Sequence, residues 1–133
     1  MTGPLVVKLP YLRPPLSLND SGASEGAMYA KARTIKEIRQ TVAWLAKAAK
    51  LPTGVPHAVV EVHYRPADRG RRDSDNVAAT AKPIYDSLAQ DHGLVADDIP
   101  ELMSKPEVVL HKSGKPGMWL EITILDSPRE LPE

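Results

Sequence analysis

His57-Ala58-Val59-Val60-Glu61-Val62-His63-Tyr64-Arg65 alternates apolar and polar side chains with the two-residue period of an extended chain. Ala58, Val60, Val62 and Tyr64 fall on one face. Glu61, His63 and Arg65 fall on the other, as in a half-buried strand. A polar loop follows over residues 66–72, and residues 76–90 then read as a helix closed by His92-Gly93. Asp73 or Asp75 stands where a side chain caps that helix. Pro83 lacks a donor and clashes with the preceding turn. Either the helix kinks there, or a short first turn ends and the main helix starts with Pro83 in its first turn.

Outward from this unit the pattern continues. Upstream, Ile35, Ile38, Val42, Leu45 and Ala49 recur at three- and four-residue steps and predict a helix over 28–50. Leu5, Val7 and Leu9 share one face of a short strand, and residues 11–27 carry turn signals. Downstream, residues 107–112 and 118–125 read as two strands around Ser113-Gly114-Lys115-Pro116-Gly117. The order predicts an α+β fold, a small mixed β-sheet with two helices packed on it. Residues 1–126 are expected to form a single domain and 127–133 a flexible tail.

Composition narrows the function classes. The chain has 133 residues and no cysteine, so disulfides and thiolate metal sites are excluded. Seventeen Lys plus Arg balance seventeen Asp plus Glu, which is unusual for a nucleic-acid binder, so any such role rests on local charge. No signal peptide or membrane-length apolar run is read, and the expectation is a cytoplasmic protein with no membrane partner. The histidines show no metal-ligand spacing and read as surface or strand residues. Trp44, Trp119, Tyr29 and Tyr85 read as packing residues.

The chemistry-bearing residues cluster after the central strand. Arg65, Arg69, Arg71 and Arg72 form a patch suited to phosphate oxygens, or to pairing with the aspartates beside it. Asp73 and Asp75 follow, then Lys82, then Asp97-Asp98. Carboxylates hold hard divalent cations through oxygen. The same acids could instead cap a helix or form a polar turn before Pro100, and Lys82 could be a solvated charge. A calcium-binding loop fails, since Ala78 and Ile84 occupy the positions that need Gly and Glu. Acids for a metal, flanked by cations for phosphodiester oxygens, point to metal-dependent hydrolysis of nucleic acid.

The run Arg71-Arg72-Asp73-Ser74-Asp75-Asn76, then Lys82-Pro83-Ile84-Tyr85-Asp86-Ser87-Leu88, then Asp97-Asp98 resembles the core signature of RusA-type Holliday-junction resolvases. Pro14-Pro15-Leu16-Ser17-Leu18-Asn19 is similar to that family's N-terminal element, and Lys112 with residues 117–124 to its lysine and final strand. The resemblance spans residues 5–125. It implies a RusA-like α/β sandwich and a homodimeric endonuclease that depends on Mg²⁺, with Mn²⁺ as a substitute. Such an enzyme resolves four-way DNA junctions by paired symmetric nicks in recombination and repair, in a bacterial or phage-infected cytoplasm. By position, Asp73, Asp75 and Asp98 match the metal-binding acids and Lys82 the catalytic lysine. Asp97 would be an outer ligand or base, with Arg69, Arg71, Arg72, Asn19 and Lys112 on DNA. One departure concerns Lys82, which stands six residues after Asn76 where the family usually has three, a shift of about one helical turn. The rivals are a flap or fork nuclease of low junction specificity, a non-catalytic junction-binding protein, and a structural protein whose acids only cap a helix.

Overall fold

The computed structural model describes residues 4–16, 24–68 and 73–133, with the backbone alone at residues 73–75. The elements run β1 (Leu5–Leu9), α1 (Glu25–Ala48), β2 (His57–Arg65), α2 (Asp73–Asp86), a π-helical turn (Ser87–His92), β3 (Met103–Ser104), β4 (Val109–Leu110) and β5 (Gly117–Leu125). They form an α+β fold, a five-stranded mixed sheet with two helices. β5 lies between β1 and β2 and is antiparallel to both. Along its other edge β2 pairs in parallel, first with β3 at Ala58 and Val59, then with β4 at His63 and Tyr64. A parallel return needs a crossover, and α2 provides it.

Alternation on β2 decides what is buried. Ala58, Val60 and Val62 are wholly buried and Tyr64 nearly so. Their β5 partners Ile124, Ile122, Leu120 and Met118 lie directly opposite on the same face. Ile38, Val42 and Ala46 of α1 and Val77, Ala81 and Ile84 of α2 complete this core. Trp44 and Tyr29 do not join it. They stand 69% and 63% exposed on α1, contrary to the packing role expected of them. Both lie away from the stripe that the helical period turns inward.

Boundaries depart from the pattern where it is weakest. α1 begins at Glu25, three residues before the expected start, because Ser24 caps it by accepting the Ala27 N–H at 3.0 Å. α2 begins at Asp73, so Asp75 belongs to the first turn and is not the cap. Acidic residues suit the positive end of the helix dipole there. The helix runs through Pro83, which is buried, and widens into the π-helical turn from Ser87. Gly93 ends that turn at φ 81°, a left-handed conformation that glycine adopts without strain. The strand expected over 107–112 reduces to Val109–Leu110, and Met103–Ser104 is an unexpected strand. Pro106 lies between the two and has no N–H for a ladder, which keeps each piece short.

The π-helical turn is fastened to α1. Arg39 donates from Nε to Asp91 Oδ2 and from Nη2 to Asp91 Oδ1, both at 2.8 Å, and from Nη2 to Gln90 Oε1 at 3.0 Å. Ser87 Oγ donates to the Arg39 carbonyl at 2.7 Å. The Arg39 hydrogen bonds hold the Asp91 carboxyl below its ordinary value of 3.8. A depressed carboxylate stabilises the fold above its unfolded-state value, and that contribution fades as pH falls through the folded value. Both side chains are about a third exposed, so the pair contributes about 1 kcal/mol or less. Asp91→Asn is therefore expected to lower the thermal midpoint slightly at neutral pH. The gap from wild type should close as pH drops below 3.8, followed by circular dichroism melts across pH.

Candidate functional site

β2 ends at Arg65 and hands the chain to the loop that leads into α2. In sheets with parallel connections, sites gather beyond the carboxyl ends of the strands. The segment after β4 returns to this end. The His111 N–H donates to the Tyr64 carbonyl at 2.9 Å and the Gly114 N–H to the Pro66 carbonyl at 3.0 Å. Lys112 lies between them and is exposed. An open cleft of about 380 Å³ is lined here by Arg13, Pro14, Tyr64, Asp68 and Asn76. It adjoins the first turn of α2, which carries Asp73 and Asp75.

Further along α2, buried Thr80 ties down the N-terminal segment. Its Oγ1 accepts the Leu16 N–H at 3.2 Å and donates to the Leu16 carbonyl at 3.3 Å. Lys82 is on the open face of the helix, its side chain 70% exposed, with Nζ 2.9 Å from Asp86 Oδ1. That hydrogen bond raises its pKa, and the field of Asp98 adds to the shift. Asp98, in the loop after the π-helical turn, packs back against the same helix. Its side chain is only 10% exposed and its Oδ1 pairs with the Lys105 ammonium. The Lys105 Nζ also stands 5.4 Å from the ring centre of Tyr85. Burial, and then the Asp98 charge, push the Tyr85 hydroxyl up to about 12.

The fold thus brings Asp98, Lys82, Tyr85 and Lys105 to one stretch of α2. Asp75 precedes Lys82 by seven residues, nearly two turns, which is roughly 10 Å along the axis on almost the same face. Asp97 is exposed and turned to its own chain, its Oδ1 accepting the Asp98 N–H at 2.8 Å. Such a local turn leaves it less free to act as an outer ligand. Asn19, Arg69, Arg71 and Arg72 lie outside the described residues, as do the side chains of Asp73 and Asp75.

A second cluster was not foreseen. His57 and His63 are strand residues of β2, as the expectation allowed, and both are buried. His57 is held by the Glu101 carbonyl and Ser104 Oγ, each 2.7 Å from a ring nitrogen. His63 lies with Glu61 and Glu121 on the outer face of the sheet. One ligand atom from each falls within 4.8 Å of the others. Trp119 stacks on His63 at a ring separation of 5.2 Å, and Arg65 stands over the indole. The sequence signal was present in the polar face of β2, but its third member comes from β5 through strand pairing.

No protein-family model matches this chain, and no curated protein does. The α2 cluster is therefore characterised by its own charges and contacts. Proximity of Asp98 to Tyr85 has a spectroscopic consequence. Ultraviolet titration should show the Tyr85 hydroxyl ionising near 12. In Asp98→Asn that midpoint should fall but stay above 10.0, because burial is the larger cause.

Proposed function

We propose that this chain is a magnesium-dependent, structure-specific endodeoxyribonuclease of the RusA type. In this reading it has the family's α/β sandwich and resolves four-way DNA junctions as a homodimer. The observation that carries the reading is the convergence on α2. Asp73 and Asp75 stand in its first turn, Lys82 follows two turns later, and the nearly buried Asp98 packs back on the same helix beside two lysines.

The donor set suits a hard cation. Asp73, Asp75 and Asp98 offer carboxylate oxygens, which magnesium and manganese prefer. Asp98 already lies where positive charge collects, against Lys105 and within the field of Lys82. Magnesium, when bound, supplies Lewis acidity at the phosphate and lowers the pKa of a coordinated water. The protein's own groups do the rest. Lys82 offsets charge that builds on the phosphate in the transition state, after exchanging its partner Asp86 for the substrate. Arg69, Arg71, Arg72, Asn19 and Lys112 hold backbone phosphates, and such contacts position the strand without reading its sequence. Preference for a junction then comes from shape and from matching the dimer's two-fold axis to that of the junction.

A labelled four-way junction, a linear duplex, a flap and a fork, each with Mg²⁺ or with EDTA, test the reading. Paired symmetric nicks in the junction alone, absent with EDTA, are expected. Equal cutting of flap and fork would indicate a nuclease of low junction specificity, and binding without cutting in any metal a junction-binding module. Asp75→Asn should abolish cleavage and retain junction binding in a gel-shift assay. Metal-dependent cleavage by that variant would contradict the assignment.

A further inference from the structure

Glu61 and Glu121 face each other directly across the β2–β5 ladder. Like charges in that position repel and destabilise a sheet. His63, two residues along β2, enters the gap between them. Its Nε2 lies 3.2 Å from Glu121 Oε2 and 3.5 Å from Glu61 Oε1. The ring is more than nine-tenths buried, yet this nitrogen makes no hydrogen bond. Its Nδ1 is 2.9 Å from His111 Nε2. When Nδ1 carries the proton and donates it to His111, the Nε2 lone pair points toward the two carboxylates. Three electron-pair donors then converge with no hydrogen between them.

Two of the three ligand separations fit a tetrahedral ion. Nitrogen and oxygen ligands about 2.0–2.1 Å from a tetrahedral ion are about 3.3–3.4 Å apart. The two Nε2–oxygen separations straddle that value. An octahedral ion of magnesium's size would bring neighbouring ligands to about 2.9 Å and prefers oxygen throughout. Imidazole with carboxylates suits zinc and its neighbours. The supports that orient metal ligands are also present. His111 holds the far nitrogen of His63, and Trp119 Nε1 donates to Glu121 Oε2 at 3.1 Å. Glu61, its side chain 40% exposed, leaves one side open to water.

We infer that Glu61, His63 and Glu121 bind a divalent transition-metal ion of the zinc type, His63 through Nε2. The site lies on the outer face of the sheet and is independent of the acids on α2. Bound there, the ion cancels the Glu61–Glu121 repulsion and cross-links β2 to β5.

The test uses the full chain, stripped with EDTA and titrated with Zn²⁺ by equilibrium dialysis in excess Mg²⁺, which competes for the acids of α2 but not for an imidazole site. One zinc per chain is expected. Glu61→Gln and Glu121→Gln should each weaken binding by at least about tenfold, the loss that even a supporting residue of a metal site can cause. In the unaltered protein, the ¹⁵N resonance of His63 Nε2 should shift with zinc, a readout that no variant's folding can confound. Absence of zinc binding, binding indifferent to both glutamine variants, or an unmoved His63 resonance would overturn the inference.

Discussion

The β2–β5 ladder is the constraint on which the rest depends. Nine antiparallel pairs, from His57–Leu125 to Arg65–Gly117, fix which residues stand opposite which. A slip of β2 by one residue would turn Val60 and Val62 outward and bring Glu61 inward beside Leu120 and Ile122. Each wholly buried aliphatic of that size is stabilised by about 1.5–3 kcal/mol relative to exposure, so the register is strongly specified. Because β2 also pairs in parallel along its other edge, α2 must cross over between β2 and β3. One strand therefore sets both candidate surfaces. Its carboxyl end leads to the acids of α2, and its outer face carries the glutamate–histidine cluster.

The two surfaces differ in the ion they suit. Along α2 the candidate donors are aspartates, and Asp98 pairs with Lys105 within the field of Lys82. On the outer face a buried imidazole nitrogen joins two carboxylates between aromatic rings. Arg13, Lys112 and Lys115 sit in segments at the carboxyl end of β2, near the first turn of α2. Cations beside the acids of that turn would let a polyanion approach carboxylates that would otherwise repel it.

Sequence patterning revealed the elements with one consistently buried face. Leu5–Leu9 and His57–Arg65 were legible to the residue, and β5 to within one, because alternation persists along each. β3 and β4 were not, since two residues cannot display a period. The start of α1 was hidden because Glu25-Gly26-Ala27 shows no apolar stripe, and only the Ser24 cap marks it. Lys82 and Asp98 were legible as charged residues at suggestive intervals, and packing brings them onto one helix. The local turn of Asp97 and the pairing of Lys82 with Asp86 required coordinates. The Glu61–His63–Glu121 cluster lay beyond spacing rules altogether. Those rules follow one segment, whereas strand register joins residues distant along the chain.

In the proposed function the first turn of α2 and the 97–98 loop act as one cation site. Paramagnetic broadening by Mn²⁺ in the ¹⁵N-labelled protein, with zinc already present, examines it most directly. Amide signals of Asp73, Asp75, Asp97 and Asp98 should broaden together at substoichiometric Mn²⁺, and excess Mg²⁺ should restore them. Broadening confined to one of the two segments, or none at either, would contradict the account.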